Sequence, residues 1–447
     1  MTTVMPNKIN SLLKLSWPIL LELLLQILVG NVDQIMISHY SQNSVAAIGN
    51  ANQIINIVII LLTVTSTATT ILLSQYLGAK NSLKISEICT VSLLLNGLFS
   101  LGTSAVLILF GKTFLMWLKV PLDILSEADL YLKIVGGGII LQGLYFSLVA
   151  CFRGFSRIKT TLIVSIIMNI FHVGSNYILI FGLGSIPALG VLGVSISTNL
   201  SKFVGLSILL FIFLKYLKVD IGLNYLKPFP GESAKKILSI AIPAGGETLS
   251  YQLSQTFIMK IINIFGLIVI NTKVYVYIMA MFCYSYALAI SAAMQIIMGY
   301  LIGEKKLTEI SGTVWKTVGI SMIVTTTITT LLYFNSDIVF EIFTTNEEVL
   351  RLGKTIFLIE IFLEMGRAVN IVMVRALQAA GDIKTPVIVG IVGMWFIAVL
   401  FSYILGIVFQ LGLIGVWLAM MLDEILRAFI FIYRWQSGNW RHKNLIK

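Results

Sequence analysis

The sequence contains few charged residues. Asp, Glu, Lys and Arg make up 11% of its 447 residues, less than half the usual share in a soluble domain, whereas hydrophobic residues make up 57%. A chain with so little charge cannot cover a surface that faces water. A soluble globular protein is therefore excluded, as are a disordered chain, a collagen and a coiled coil. The mean hydropathy of +0.95 indicates a protein dissolved in lipid.

Residue types that carry catalytic or metal chemistry are also scarce. The three cysteines, Cys89, Cys151 and Cys283, lie in apolar stretches without metal-ligand spacing, so we interpret them as small core residues. The three histidines form no paired metal motif, and no Ser-centred nucleophile elbow is present, which argues against a membrane-embedded enzyme. No phosphate-binding Gly-rich loop ends in Lys-Ser or Lys-Thr. A pump without ATP must use an ion gradient.

Long apolar runs, separated by Gly, Pro and charged residues, predict an all-α membrane protein with twelve transmembrane helices. Because twelve is even, both termini lie on the same side of the membrane. The three glycines at 136–138 predict close approach of a neighbouring helix. The predicted spans are residues 12–38, 45–77, 86–111, 124–150, 160–182, 190–217, 237–265, 272–301, 312–333, 349–374, 385–406 and 412–434.

The distribution of positive charge predicts the topology. Most of the 31 Lys and Arg residues fall in loops on the side of the termini. We therefore expect a protein of the inner cell membrane with both termini in the cytoplasm. The net charge of +11 is thus a topology signal, and we expect no nucleic-acid partner. A hydrophilic connection at 218–236 divides the chain into lobes at 1–217 and 237–447.

The two halves resemble each other in sequence. Six spans per half give both halves the same orientation and an axis along the membrane normal, an arrangement used for alternating-access transport. We expect both prolines of the repeat to lie in the first turns of spans one and seven. A shift of 225 superposes Pro18 on Pro243 and Glu22 on Glu247, and a shift of 222 aligns Gly190, Gly193 and Val194 with Gly412, Gly415 and Val416.

Ionisable residues inside the first-half spans are candidate coupling groups, because charge within a membrane usually faces a cavity or a partner. Asp33 in span one can bind a proton at neutral pH and release it when a cavity opens; a packing carboxylate is the alternative. Asn169, His172 and Asn176 share one stripe of span five. Histidine ordinarily titrates near neutrality, so His172 either couples protons or packs through a hydrogen bond.

The second half holds further candidates in spans seven, ten and twelve. Span ten admits two interpretations, a local ion pair or a cation-binding cluster. In span twelve we favour a structural pair between Asp423 or Glu424 and Arg427. The second-lobe candidates are Glu247, Glu360, Glu364 and Arg367.

Several motifs together resemble the multidrug and toxic compound extrusion (MATE) transporters. They occur in the expected order over the whole chain and across both six-helix halves. The motifs are VDQIMISHY at 32–40, AAIGNA at 46–51, SQYLGA at 74–79, RALQAAGD with IKTP at 375–386, and GLIGVW at 412–417.

The resemblance implies two pseudo-symmetric six-helix bundles in a V shape around a central cavity. It assigns proton or sodium binding to Asp33, with a possible Na+ site there. The family's span-five pattern of Asn, Asn and Asp falls on Asn169, His172 and Asn176, so this lobe has one carboxylate fewer and His172 could take over part of the proton chemistry. Glu247 resembles the family's second-lobe acid.

We therefore expect a monomeric secondary antiporter that exports amphiphilic, often cationic compounds and needs no cofactor besides the coupling ion, H+ or Na+. Its expected partners are the small-molecule substrate and membrane lipid. Ion binding at Asp33, supported by Asn169, His172 and Asn176, would repack span one and shrink the substrate site. A lipid flippase on the same fold is the main alternative, although Lys202, Lys260, Arg367 and Arg427 are few for a pyrophosphate substrate.

Overall fold

The computed structural model describes residues 8–217, 219–341, 343–443 and 445–446, and these residues are helical with short connections. The described part of the chain contains no β-strand, only an isolated bridge between Leu183 and Ile186. In the first half the helices are α1 (Lys8–Tyr40), α2 (Gln42–Gly78), α3 (Ser82–Trp117), α4 (Leu122–Gly137), α5 (Ile139–Gly154), α6 (Ile158–Phe181) and α7 (Val191–Ile212).

The second half repeats this order of long helices. Its span eleven is irregular, because two π-helical segments, Gly393–Val399 and Ile404–Val408, interrupt it. The helices are α8 (Gly231–Ile262), α9 (Leu267–Gly303), α10 (Leu307–Phe334), α11 (Ser336–Glu341), α12 (Glu347–Ala379), α13 (Lys384–Val392), α14 (Leu400–Tyr403) and α15 (Gly412–Gln436).

Each predicted span coincides with a helix or with a broken helix. By length and composition, eight of the described helical segments could cross a membrane, or nine if the bent pair α4 and α5 is counted as one span. The other three predicted spans correspond to α8, α12 and α15. Those helices carry the polar and charged residues of the second half, which lower their hydropathy.

Contacts group the described residues into two units, one within 21–242 and one formed by 8–20 together with the described part of 243–446. The core of the first unit contains Leu62, Leu115 and Leu132. The core of the second contains Phe340 and Phe357. Residues 1–7, Lys218 at the start of the predicted linker, and Lys447 at the end of the predicted second lobe lie outside the described residues.

The expectation that Pro18 and Pro243 lie in first helical turns is wrong. Both lie inside helices, because α1 begins at Lys8 and α8 begins at Gly231. Each helix begins before the apolar run, in more polar sequence, because backbone hydrogen bonds form in polar segments as well as in apolar ones. Each proline therefore removes an N–H inside its helix, a common cause of bending.

The three glycines at 136–138 lie at a break between α4 and α5, where the chain bends by 43°. A Cβ on Gly138 would lie 2.0 Å from Asn199 Oδ1, and one on Gly136 would lie 3.0 Å from the Leu107 side chain. The Asn199 amide donates to the Ile134 carbonyl at 2.6 Å, next to the break. The prediction that these glycines permit close helix approach is confirmed.

Candidate functional site

Asp33 of α1 meets two side chains of α6 within the first unit. His172 Nε2 lies 3.0 Å from each carboxylate oxygen of Asp33, and the Asn176 amide nitrogen donates to Asp33 Oδ1 at 2.7 Å. His172 and Asn176 are four residues apart, which places both on the same face of α6. The structure thus brings together three of the four residues predicted to form the coupling site.

The members of the Asp33 cluster differ in burial and in hydrogen bonding. The Asp33 side chain is 30% exposed and that of His172 only 7%. His172 Nδ1 and Asn176 Oδ1 are buried without a hydrogen-bond partner among the described residues. The imidazole can therefore hold one proton toward Asp33 and has a second nitrogen available for another.

The backbone of α6 at His172 is held by α7. The Ser197 hydroxyl donates to the His172 carbonyl at 3.1 Å, and Ser197 Oγ lies 2.5 Å from Ser175 Oγ. These contacts fix the height of His172 relative to α7. The ring that faces Asp33 is consequently positioned by two helices rather than one.

Two further groups lie near Asp33, and the sequence did not identify them as part of this site. Tyr131 of α4 is buried and close enough to interact electrostatically with the Asp33 carboxylate, and its hydroxyl donates to Asn52 Oδ1 at 3.3 Å. Lys202 of α7 is half-buried and also within electrostatic range of Asp33. Two features of the sequence could have indicated these residues: Tyr131 is a polar aromatic residue in a predicted span, and Lys202 is a lysine in a predicted span.

Asn169 is not part of the Asp33 cluster. Its amide nitrogen lies 3.5 Å from the Ser165 hydroxyl, one turn away on the same helix. No hydrogen bond joins Asn169 to Asp33 within the described chain. Although Asn169 lies on the predicted stripe, it precedes Asn176 by seven residues, about 10 Å along the helix, which is beyond the reach of one aspartate.

The span-ten candidates form an ion-pair network in the second unit. Arg367 Nη1 contacts Glu364 and lies 3.3 Å from Glu360 Oε1. The Trp417 indole donates to Glu360 Oε2 at 2.7 Å, so α15 also binds this acid. Both carboxylates are buried, and Glu364 Oε2 has no partner among the described residues. The predicted local ion pair is present, and it extends to a second helix.

Arg427 continues this network on α15. It donates to both carboxylate oxygens of Asp423, at 3.0 Å and 2.6 Å, and also lies 3.1 Å from Glu424 Oε1. The Asn370 amide of α12 donates to Glu424 Oε2 at 2.6 Å. The favoured pair of span twelve is therefore present, and Glu424 links it to α12.

Glu247 and Glu22, which the repeat superposes, have different surroundings. Glu22 is buried and forms a 2.8 Å ion pair with Arg153 inside the first unit. Glu247 is half-buried and forms no hydrogen bond or ion pair within the described residues. A Cβ on Gly390 would lie 2.8 Å from Glu247 Oε1, so this carboxylate packs closely against Gly390 of α13.

Comparison with known families identifies the chain. The MatE family model matches residues 18–178 and again residues 243–404, which together cover more than half of the sequence. The chain belongs to the MatE family. An uncharacterized transporter, YisQ of Bacillus subtilis, is 34% identical over 98% of this chain and 96% of its own length. A probable multidrug resistance protein, NorM of Thermotoga maritima, is 25% identical over 99% and 95%.

Solved structures of MatE proteins share the fold. A MATE protein in the bent conformation matches with a TM-score of 0.89 over 96% of both chains at 18% identity. A mutant of the Vibrio cholerae MATE transporter VcmN matches with a TM-score of 0.90 over 98% of both chains, also at 18% identity. Together with the family match, they confirm two six-helix bundles. The protein is a membrane transporter and not an enzyme.

The double match confirms the internal repeat. The MatE model begins at Pro18 in the first half and at Pro243 in the second, which reproduces the shift of 225 found by superposing the prolines. No group of three or more His, Cys, Asp or Glu side chains suited to a metal ion occurs in the part of this MatE chain that the structure describes. The hydrogen-bond partners of Asp33 within that part are His172 and Asn176, neither of which is an acid.

Proposed function

We propose that this MatE transporter is a secondary antiporter that exports amphiphilic, often cationic compounds in exchange for H+. The contact of Asp33 with His172 and Asn176 carries the proposal. The relatives named probable multidrug resistance proteins support a drug-like substrate.

The donor set around Asp33 favours a proton over Na+ as the coupling ion. Hard cations are bound by oxygen ligands, whereas the atoms nearest the Asp33 oxygens are the nitrogens of His172 and Asn176. A proton needs no additional ligand. It can reside on Asp33 or on His172, whose ring bridges both carboxylate oxygens.

Protons and a cationic substrate would then compete for the same negative charge. While Asp33 is ionised it attracts a cation, and protonation removes that attraction. Transport is coupled when the two ligands prefer different facing states, because each shifts the conformational equilibrium by its differential affinity. The charge state of Asp33 is thus the quantity that links the proton gradient to export.

The flippase alternative receives less support. Arg367 and Arg427, two of the four intramembrane cations, are bound to carboxylates of the second unit. These two guanidinium groups are not available for a pyrophosphate, which several cationic side chains would have to hold.

The experiment is efflux of a fluorescent cationic dye such as ethidium from proteoliposomes under separately imposed H+ and Na+ gradients. We expect a pH gradient alone to drive transport and a Na+ gradient alone to leave it at the level of empty liposomes. The Asp33→Asn variant should remain folded and lose gradient-driven transport. Efflux driven by Na+ alone would contradict proton coupling, and full activity of the variant would contradict the role of Asp33.

A further inference from the structure

A cleft opens on the second unit between α8 and the irregular span eleven. Its volume is about 510 Å³, within the range of small-molecule sites. Rings form one end, where Phe257 meets Trp395 edge-on at 5.3 Å between centroids. The lining residues are Phe257, Lys260, Ile261, Ile264, Trp395 and Phe396, followed by four further residues up to Ile407 on span eleven.

The wall from span eleven is built on π-helical turns. Trp395, Phe396 and Val399 belong to the π segment Gly393–Val399, and Ile407 belongs to the second one. π-helical turns are rare and occur frequently at functional sites. The Trp395 indole N–H donates to Ser250 at 2.9 Å, so this ring presents only its apolar surface to the cleft.

Lys260 is the single charged residue among those lining the cleft. Its side chain is exposed, and it forms no ion pair or hydrogen bond with any described residue. It lies near the end of α8, one turn before Ile264, on the predicted extracellular side. An unpaired ammonium beside an apolar cleft matches a ligand with an apolar chain and an anionic end.

We propose that this cleft binds an anionic membrane phospholipid, with an acyl chain against the aromatic and aliphatic wall and the phosphate on Lys260. The charge decides the class of lipid. A phosphatidylglycerol headgroup is a net anion and neutralises Lys260, whereas a phosphatidylcholine headgroup brings its own cation and neutralises it less. The site is separate from Asp33, which belongs to the other unit.

The test is native mass spectrometry of the full-length detergent-purified protein titrated with phosphatidylglycerol or phosphatidylcholine. We expect the wild type to retain phosphatidylglycerol preferentially. Lys260→Gln should weaken phosphatidylglycerol binding about fivefold, the contribution of one basic residue near an anionic membrane surface, and weaken phosphatidylcholine binding less. Lys260→Arg should keep the wild-type preference for phosphatidylglycerol, because it keeps the positive charge.

Two further variants separate the cleft from general surface charge. Lys273→Gln is the matched control, because Lys273 of α9 also lies near the predicted extracellular side but lies over the Tyr277 ring at 4.8 Å and does not line the cleft. It should leave binding unchanged. Leu400→Trp, at a half-exposed lining position, should fill the cleft and weaken both lipids. Equal retention by wild type and Lys260→Gln, or equal loss in Lys273→Gln, would overturn the proposal.

Discussion

A single carboxylate within a membrane helix requires partners, and Asp33 has two of different chemical kinds. Asn176 donates a hydrogen bond but cannot titrate in the physiological range, whereas His172 both binds Asp33 and can accept a proton. A hydrogen bond to a charged group contributes about 1.5–3 kcal/mol. The amide of Asn176 therefore holds the Asp33 carboxylate in place, and the imidazole of His172 is the neighbouring group that our proposal assigns to proton exchange.

We predict that Asn176→Ala weakens proton-driven export, because the variant loses a hydrogen-bond donor to the Asp33 carboxylate. Dye efflux driven by a pH gradient in proteoliposomes should fall about tenfold or more, since a hydrogen bond to a charged group contributes about 1.5–3 kcal/mol and about 1.4 kcal/mol is a factor of ten. Asn169→Ala is the matched control: it changes the same residue type on the same helix but makes no contact with Asp33. Identical efflux rates for the two variants would contradict a specific role for Asn176.

Helix-to-helix contact in each half depends on corresponding glycines. Gly190 immediately precedes α7, and Gly412 is the first residue of α15. Their φ values are +54° and +57°, a backbone conformation that residues with a Cβ rarely adopt. One turn later, a Cβ on Gly193 would lie 2.3 Å from the Leu179 carbonyl oxygen, and a Cβ on Gly415 would lie 2.5 Å from the Leu405 carbonyl carbon. The repeat thus preserves a packing arrangement as well as a sequence pattern.

We predict that Gly193→Ala and Gly415→Ala destabilise the protein to a similar extent, about 1–3 kcal/mol each, because backbone atoms must move to make room. The apparent melting temperature in detergent, followed by intrinsic fluorescence, measures this effect. Gly102→Ala in α3 is the control, since a Cβ there has no heavy atom within 4 Å. It should leave the melting temperature unchanged or raise it. Destabilisation of Gly102→Ala equal to that of the other two would show that helix contact is not the cause.

The charged helices show why span ten could not be interpreted from the sequence alone. Glu360, Glu364 and Arg367 have the spacing of an ion pair within one helix, and the structure forms that pair. The contribution of α15, through Trp417 and Glu424, comes from residues more than fifty positions later. Helical periodicity carries no information on such a partner.

At the scale of the whole molecule, the distribution of Lys and Arg predicts the orientation in the membrane. Both termini and the connection after span six should face the cytoplasm, and the connection between α3 and α4 should face outward. Asn224 and Lys119 are exposed residues of these two connections. They allow the orientation to be tested at one position on each side.

We predict opposite labelling of Asn224→Cys and Lys119→Cys in a background without the three native cysteines. A membrane-impermeant maleimide should modify Lys119→Cys in intact cells and Asn224→Cys only in inverted vesicles. Membrane-permeant maleimide labels both and serves as the control for reactivity. Labelling of Asn224→Cys in intact cells would reverse the predicted orientation.

The amino-acid sequence alone predicted the helical membrane class, the positions of the spans and the repeat, and it identified Asp33 as a candidate coupling group. These properties are local or periodic, because hydropathy, proline and glycine act on their own segment of chain. The tertiary fold was needed to bring His172 and Asn176 to Asp33 while leaving Asn169 apart. It was also needed to bring Trp417 of α15 to Glu360 of α12. A contact between two helices depends on how each helix is rotated and on its height along the other. In the first unit the residues that meet at Asp33 are more than a hundred positions apart in the sequence. The stripe of residues on one helix specifies neither the rotation nor the height.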